Sequence, residues 1–366
     1  MNIDFTSPTG KIKPMHAINN APMHWTFCDT FHYLTEARIP YSRLHDTGGL
    51  MGGGIFVDIE NIFPLFHADP EDPKNYDFGF TDHLLKELCA AGVKPFYRLG
   101  CTIENYHPSI GPRRSIPPSD PHKWAVICEH IIRHYNEGWA NGFHYGIEYW
   151  EIWNEPDCRN ADGSNPCWQG TGEEFIDFYC TAATHLKKCF PHLKIGGPAL
   201  AGNYDWAEMF LSQLKAPLDF FSWHVYAHNV ERITNRAKMT RELLDKYGFK
   251  DTESILNEWN YVRGWEGDEW IYSLKQEKSL KGAAFIASTM SLCQYAPLDM
   301  LMYYDARPCG MNGLFSTDYV CDRLKGYYPF FMFNSLYMQK AAVKPEIEGE
   351  DIYAAAAVGD EQNVML

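Results

Sequence analysis

The chain has 366 residues, 45% of them hydrophobic, with 47 acidic and 32 basic side chains and a formal net charge of -15. That length can bury a large core, and α/β barrels of ~250 residues or more do so as one unit. The acidic balance argues against a nucleic-acid partner, which needs a basic stripe, and against a polybasic membrane patch.

In chain order the pattern alternates strand and helix. Segment 13–19 reads as a first strand and 39–46 as a second, ending in Arg43, His45 and Asp46. "FTDHLLKELCAAGV" (80–93) carries Leu84, Leu85, Leu88 and Ala91 at helical spacing and closes on Gly92. Strand 94–100 ends near Arg98. Helix 117–138 has Ser119 or Asp120 as a cap and Pro121 in its first turn. "GIEYWEIWNEPD" (146–157) opens as an apolar strand, carries Glu148 and Glu151 inside it, and ends in Asn154-Glu155-Pro156. Both inner glutamates are expected to be ion-pair partners within the barrel.

The alternation then repeats. Helix 171–190 has Thr171 and Glu174 at the capping-box offset. Strand 193–200, helix 205–216, strand 219–226 and helix 230–248 follow. "ESILNEWN" (253–260), helix 277–296, strand 298–308 and helix 325–343 complete the series. Eight strands with helices between them predict an α/β fold, a (β/α)8 TIM barrel. The expected organisation is a catalytic barrel over 1–343 and a short β-rich tail over 344–366, whose last strand shows no evident partner. "GGLMGGG" (48–54) lacks the Lys-Ser/Thr of a phosphate loop and the GxGxxG spacing, so it reads as a rim loop.

In such a barrel the active site lies at the C-terminal ends of the strands. Six strand ends carry polar groups: Arg43, His45 and Asp46; Arg98; Asn154 and Glu155; His224 and Tyr226; Asn257, Glu258 and Asn260; Tyr304, Asp305 and Arg307. Glu155 and Glu258 each follow an asparagine, on strands 4 and 7, which lie nearly opposite in a barrel of eight. Two carboxylates across a mouth suit glycosidic bond cleavage. Arg307 and Asp305 either touch a substrate or brace the mouth. His45 either bonds a substrate hydroxyl or orients Glu155. Among the aromatics, Trp259 and Trp265 are expected to stack on a sugar because they follow strand 7, with Trp150 and Trp153 facing the core.

"WEIWNEPD" together with "ILNEW" resembles the clan A glycoside hydrolases, and family thirty-nine among them, which holds β-xylosidases and α-L-iduronidases. That resemblance implies a retaining double displacement, with Glu155 as acid/base and Glu258 as nucleophile. It further implies that Asn154 bonds the sugar 2-hydroxyl, that Arg43 keeps Glu258 ionised, and that His224 and Tyr226 stand near the nucleophile. The substrate-binding set then comprises Asn154, Arg43, His45, His224, Tyr226, Trp259, Trp265, Tyr304 and Arg307. The expected activity is β-xylosidase-like on a glycoside or oligosaccharide. The alternatives are an α-L-iduronidase- or α-L-arabinofuranosidase-like glycosidase, or a non-catalytic carbohydrate-binding barrel.

Physical chemistry agrees with this division of roles. An apolar surround and a second carboxylate raise the pKa of Glu155, whereas Arg43 with His224 or Tyr226 is expected to lower that of Glu258. No metal or other cofactor is expected. The 11 cysteines form no CxxC pair and no Cys/His cluster at zinc spacing. Cys158 and Cys167 bracket a polar loop and could form a disulfide. No signal peptide and no membrane-spanning run is visible, which fits a cytoplasmic chain or the trimmed form of a secreted one.

Overall fold

The computed structural model describes residues 1–20, 24–25, 28–46, 56–102, 106–107, 111–112, 115–318 and 320–366. The glycine-rich stretch 48–54, expected to be a rim loop, lies outside them.

Eight parallel strands close into a barrel whose spatial order is the chain order. They are β1 (Ala17–Asn19), β2 (Tyr41–Leu44), β3 (Lys94–Leu99), β4 (Tyr149–Ile152), β5 (Lys194–Leu200), β6 (Phe220–Ala227), β7 (Glu253–Tyr261) and β8 (Met300–Tyr303). Each lies within the segment read from its apolar run, extended by one residue in β6 and β7. The period of two divides every strand between two environments. Ala17, Phe96, Tyr149, Phe220, Ile255, Met300 and Met302 pack together as one buried cluster inside the barrel. Their chain neighbours Ile18, Tyr97, Trp150, Phe221, Leu256 and Leu301 belong to the larger core between strands and helices. Trp150 is fully buried there and stacks on Tyr97, ring centroids 4.9 Å apart.

Helices alternate with the strands as expected. Thr171 and Glu174 form the reciprocal capping box of the helix Gly172–Cys189. Asp120 caps Pro121–Glu137 by accepting from Lys123 N, and Gly138 closes it in the left-handed region at φ 76°. The buried face of Gly172–Cys189 includes Phe175, Phe178, Tyr179 and Leu186, each worth about 1.5–3 kcal/mol on burial. The segment 277–296 departs from its reading. Ser279 caps a helix at Leu280–Cys293, and a separate helix, Gly267–Glu277, precedes it. No described helix is long and apolar enough to cross a membrane.

The tail also departs from expectation. Ala341–Val343, Ala356–Val358 and Asn363–Met365 form an antiparallel sheet, so the last strand has a partner. The N-terminal segment joins it through the bridges Asn2–Glu346 and Gly10–Ala342. Cys158 and Cys167 are both free thiols.

Candidate active site

Above the apolar plug the inward positions turn polar. Arg43 of β2 is fully buried at the centre of this layer. Its Nε donates to Glu151 at 2.6 Å, Nη1 to Glu258 at 2.7 Å and to Asn19 at 3.2 Å, and Nη2 to Asn154 at 2.6 Å. Burial would lower the Arg43 pKa, but Glu151 and Glu258 outweigh it and the group is held further cationic. Glu151 is completed by Ser222 and Asn257, so it serves as a buried ion-pair partner. Glu148 does not. It lies at the opposite end of β4, 43% exposed, 3.5 Å from Lys194, because it precedes the point where the strand enters the barrel.

Glu155 and Glu258 converge on one imidazole. His224 Nδ1 is 2.7 Å from a Glu155 oxygen and 3.4 Å from a Glu258 oxygen, and these three atoms lie within 4.8 Å of one another. His224 therefore bonds Glu155 and also stands beside Glu258, its partner in the strand register. Tyr226 does reach Glu258, donating at 2.8 Å. Deep burial lowers the His224 pKa to about 4.

How two sequential residues of β7 both face inward is a matter of register. Ile255 points in and Leu256 out. Asn257 points in to Glu151, so strict alternation would send Glu258 outward. Opposite β6, Trp223 pairs with Leu256 but His224 pairs with Glu258. Asn257 is the extra residue of a β-bulge, which resets the alternation and turns Glu258 to Arg43. Glu155 is set by a different device. Its backbone sits in the left-handed region at φ 48°, held by its N–H to Ala199 O at 2.9 Å. Such strain in a non-glycine residue persists where surrounding contacts over-determine it. Asp157 supplies them, accepting from the N–H groups of Ala201, Gly202 and Asn203 at 2.8, 3.2 and 2.9 Å. Asp157 belongs to the same "NEPD" motif as Glu155, and only these backbone contacts reveal its part.

The two carboxyls differ in charge environment. Burial and then the neighbouring Asp157 push Glu155 up to about 8, with only Arg43 opposing. Burial raises Glu258 as well, but His224, Arg43 and the Tyr226 hydroxyl all pull against it. The expectation of a lowered Glu258 is thus corrected, because desolvation outweighs its partners. Both carboxyls are raised, and Glu258 has more partners opposing the rise than Glu155 has.

The remaining candidates sort by position. His45 Nδ1 accepts from Arg98 Nε at 3.3 Å, which leaves Nε2 protonated, 3.3 Å from Asp46 and 3.8 Å from Glu258. It therefore stands on the Glu258 side and does not orient Glu155. Arg98, expected at the mouth, is fully buried against Asp58 at 2.6 Å. The Tyr304 hydroxyl donates to Asp46 at 2.8 Å. Arg307 spends Nε on Asp305, Nη1 on the Asp46 carbonyl, and Nη2 on Tyr304 and Asp305, so it braces the mouth and its expected contact with substrate is set aside. Asn154 keeps a free donor, since its buried Nδ2 has no partner.

A cleft of about 470 Å³ opens over these groups, lined by His45, Glu155, His224, Tyr226, Glu258, Trp265 and Tyr304, among others. Trp265 is 55% exposed there and meets Tyr226 edge-on at 5.0 Å. Trp259 is the clearest correction. It is fully buried between Tyr303 and Phe285 in the outer core, because the bulge that turns Glu258 inward turns its neighbour out. Trp259→Ala is expected to cost about 3–5 kcal/mol of stability, read from the denaturant midpoint, without a selective rise in KM. A rise in KM at unchanged stability would return Trp259 to the substrate.

A family model described as glycosyl hydrolases family 39 matches residues 49–265, a span that includes Glu155 and Glu258. A β-xylosidase of Geobacillus stearothermophilus is 27% identical over 197 residues, covering 48% of this chain and 36% of that protein. A β-xylosidase of Caldicellulosiruptor saccharolyticus is 28% identical over 166 residues, covering 42% of this chain and 31% of the relative. The match thus spans about a third of either relative's length. Among solved structures, a glucosidase from Croceicoccus marinus superposes with a TM-score of 0.77 at 21% identity, covering 98% of this chain and 75% of that one. A family 39 β-xylosidase from Caulobacter crescentus gives 0.69 at 18%, covering 99% and 79%. An α-L-arabinofuranosidase from Thermotoga petrophila gives 0.64 at 14%, covering 100% and 79%. At these identities the likeness of structure is one of fold.

Proposed function

Because this chain belongs to glycosyl hydrolases family 39, we propose that it is a retaining glycosidase acting on a β-D-xyloside or a related sugar. The observation that carries this reading is the carboxylate separation, with the nearest oxygens of Glu155 and Glu258 within 4.8 Å. Retaining enzymes hold their carboxyls ~5–5.5 Å apart, whereas inverting enzymes leave ~6.5–9.5 Å for a water.

In this mechanism Glu258 attacks the anomeric carbon as the Glu155 proton passes to the departing oxygen. The Glu155 carboxylate then takes a proton from water, which attacks the same carbon and releases Glu258. Arg43 and Tyr226 hold Glu258 ionised and aimed. Asn154 Nδ2 donates to the sugar 2-hydroxyl, and Trp265 and Tyr304 border the ring. His45 meets a sugar hydroxyl from the Glu258 side. The β-xyloside preference is supported by the two curated relatives and by a mouth whose cations near Glu258, Arg43 and Arg307, are already paired.

The test is a panel of nitrophenyl glycosides, with the first-formed product anomer followed by NMR. A β-xyloside is expected to be turned over fastest and to yield the β anomer. An α anomer would refute the double displacement, and no turnover across the panel would favour a binding barrel.

A further inference from the structure

The proposed mechanism draws on residues on or just after β2, β4, β6, β7 and β8. The cleft is also lined by Ala201, Gly202, Arg232 and Arg236. Both arginines lie on the helix Val230–Lys246, one turn apart, on the same face. Arg236 is half-buried, donates Nη2 to Gly202 O at 2.8 Å, and lies over the Tyr204 ring at 5.8 Å. Arg232 is exposed, and only its backbone N–H is engaged, by the helix cap Asn229. Among the described residues neither guanidinium is in a salt bridge. The acid that acts on Arg236 is Asp157, whose oxygens are already taken by three backbone N–H groups. A chain of net charge -15 therefore places two uncompensated cations on one wall of its catalytic cleft.

Their side of the cleft follows from Glu155. The acid must stand beside the leaving oxygen, so the leaving group occupies the Glu155 side. Glu155 is fixed by its N–H to Ala199 O, and Arg236 is tied to Gly202 O three residues further on. Ala199 is near the end of β5 and Gly202 lies just beyond it, so Glu155 and Arg236 are both anchored at the C-terminal end of β5. Guanidinium groups bind carboxylate and sulfate oxygens through paired N–H donors.

We propose that Arg232 and Arg236 form an anion-binding subsite on the leaving-group side, for a leaving sugar that carries a carboxylate or sulfate. The inference rests on the glycosidase reading for the word "leaving" and on the arginine pair alone for the anion.

The experiment compares 4-carboxyphenyl β-D-xyloside, its methyl ester and 4-sulfophenyl β-D-xyloside on the full chain, as wild type, Arg232→Glu and Arg236→Gln. Arg232→Glu changes an exposed side chain, so it keeps the test valid if Arg236→Gln fails to fold. The wild type is expected to prefer an anion over the ester in kcat/KM. That preference is expected to fall roughly tenfold in either variant and to weaken as ionic strength rises. A larger preference for the sulfo or for the carboxy substrate identifies which anion the site takes. Calorimetry with methyl β-D-glucuronide against methyl β-D-glucoside separates the two readings. If no xyloside is hydrolysed but the glucuronide binds and the variants lose it, the glycosidase reading fails and the anion site stands. If the ester and acid are cleaved alike in all three proteins, and glucuronide binds no better than glucoside, the subsite is overturned and the activity stands.

Discussion

Glu258→Ala is expected to abolish turnover of every glycoside the wild type hydrolyses, with kcat falling by at least ~10⁴-fold. In the proposed mechanism alanine removes the atom that bonds to the anomeric carbon, and no other described carboxylate lies where it could replace it. Glu151 is sealed by Arg43, Ser222 and Asn257 beneath the mouth. The fold is expected to survive, because Arg43 keeps Glu151 at 2.6 Å as counter-ion. A circular dichroism melt alongside the kinetics separates loss of chemistry from loss of structure. Azide added to the variant is expected to attack from the vacated side and give a glycosyl azide of inverted configuration. Near-wild-type hydrolysis by a folded Glu258→Ala protein would remove this residue from the mechanism.

Glu155→Gln carries the second large effect, of order 10²–10⁴-fold on substrates that need acid assistance. Aryl glycosides with good leaving groups need little protonation. Their first step is expected to persist, and the slow step becomes release of the glycosyl-enzyme, for which Glu155 is the base. Azide needs no base and is expected to restore turnover, with retained configuration in the product. The pH profile gives an independent check. In the proposed mechanism Glu155 acts in its protonated form, and burial and Asp157 push it up to about 8, so wild-type kcat/KM is expected to fall as pH rises through about 8. Glutamine cannot ionise, so that basic limb disappears in the variant. In the same mechanism Glu258 acts in its ionised form, and burial raises it, so the acidic limb is expected above the ordinary glutamate range. A basic limb unchanged in Glu155→Gln would assign it to another group.

The barrel was legible in the sequence because each strand is a short apolar run bounded by turn residues, and five of the helices carry a side-chain cap, at Asp120, Thr171, Asn203, Asn229 and Ser279. The helix Gly267–Glu277 went unread because its buried face is small, chiefly Ser273 and Glu277. The pairing of Glu155 with Glu258 was legible because both end apolar strands that a closed barrel of eight brings across one mouth. Trp259 was misread by the same logic. Position after strand 7 suggested the mouth, but which face a side chain takes depends on the local register, and one inserted residue reverses it.

By itself, then, the sequence determined the eight barrel strands and most of the helices between them, and it singled out Glu155, Glu258 and Arg43. These follow from local periodicity and from the rule that strand ends share a face. Only the tertiary structure decided what depends on non-local neighbours. The register of β6 against β7 placed Glu258 inward and Trp259 outward. The packing over the mouth raised both glutamates where nearby cations alone would have lowered one. The fold over β5 brought Arg232 and Arg236, two residues of an ordinary helix face, to the cleft that holds Glu155. Burial and opposing charge are sums over everything nearby in space, and a linear chain does not list those neighbours.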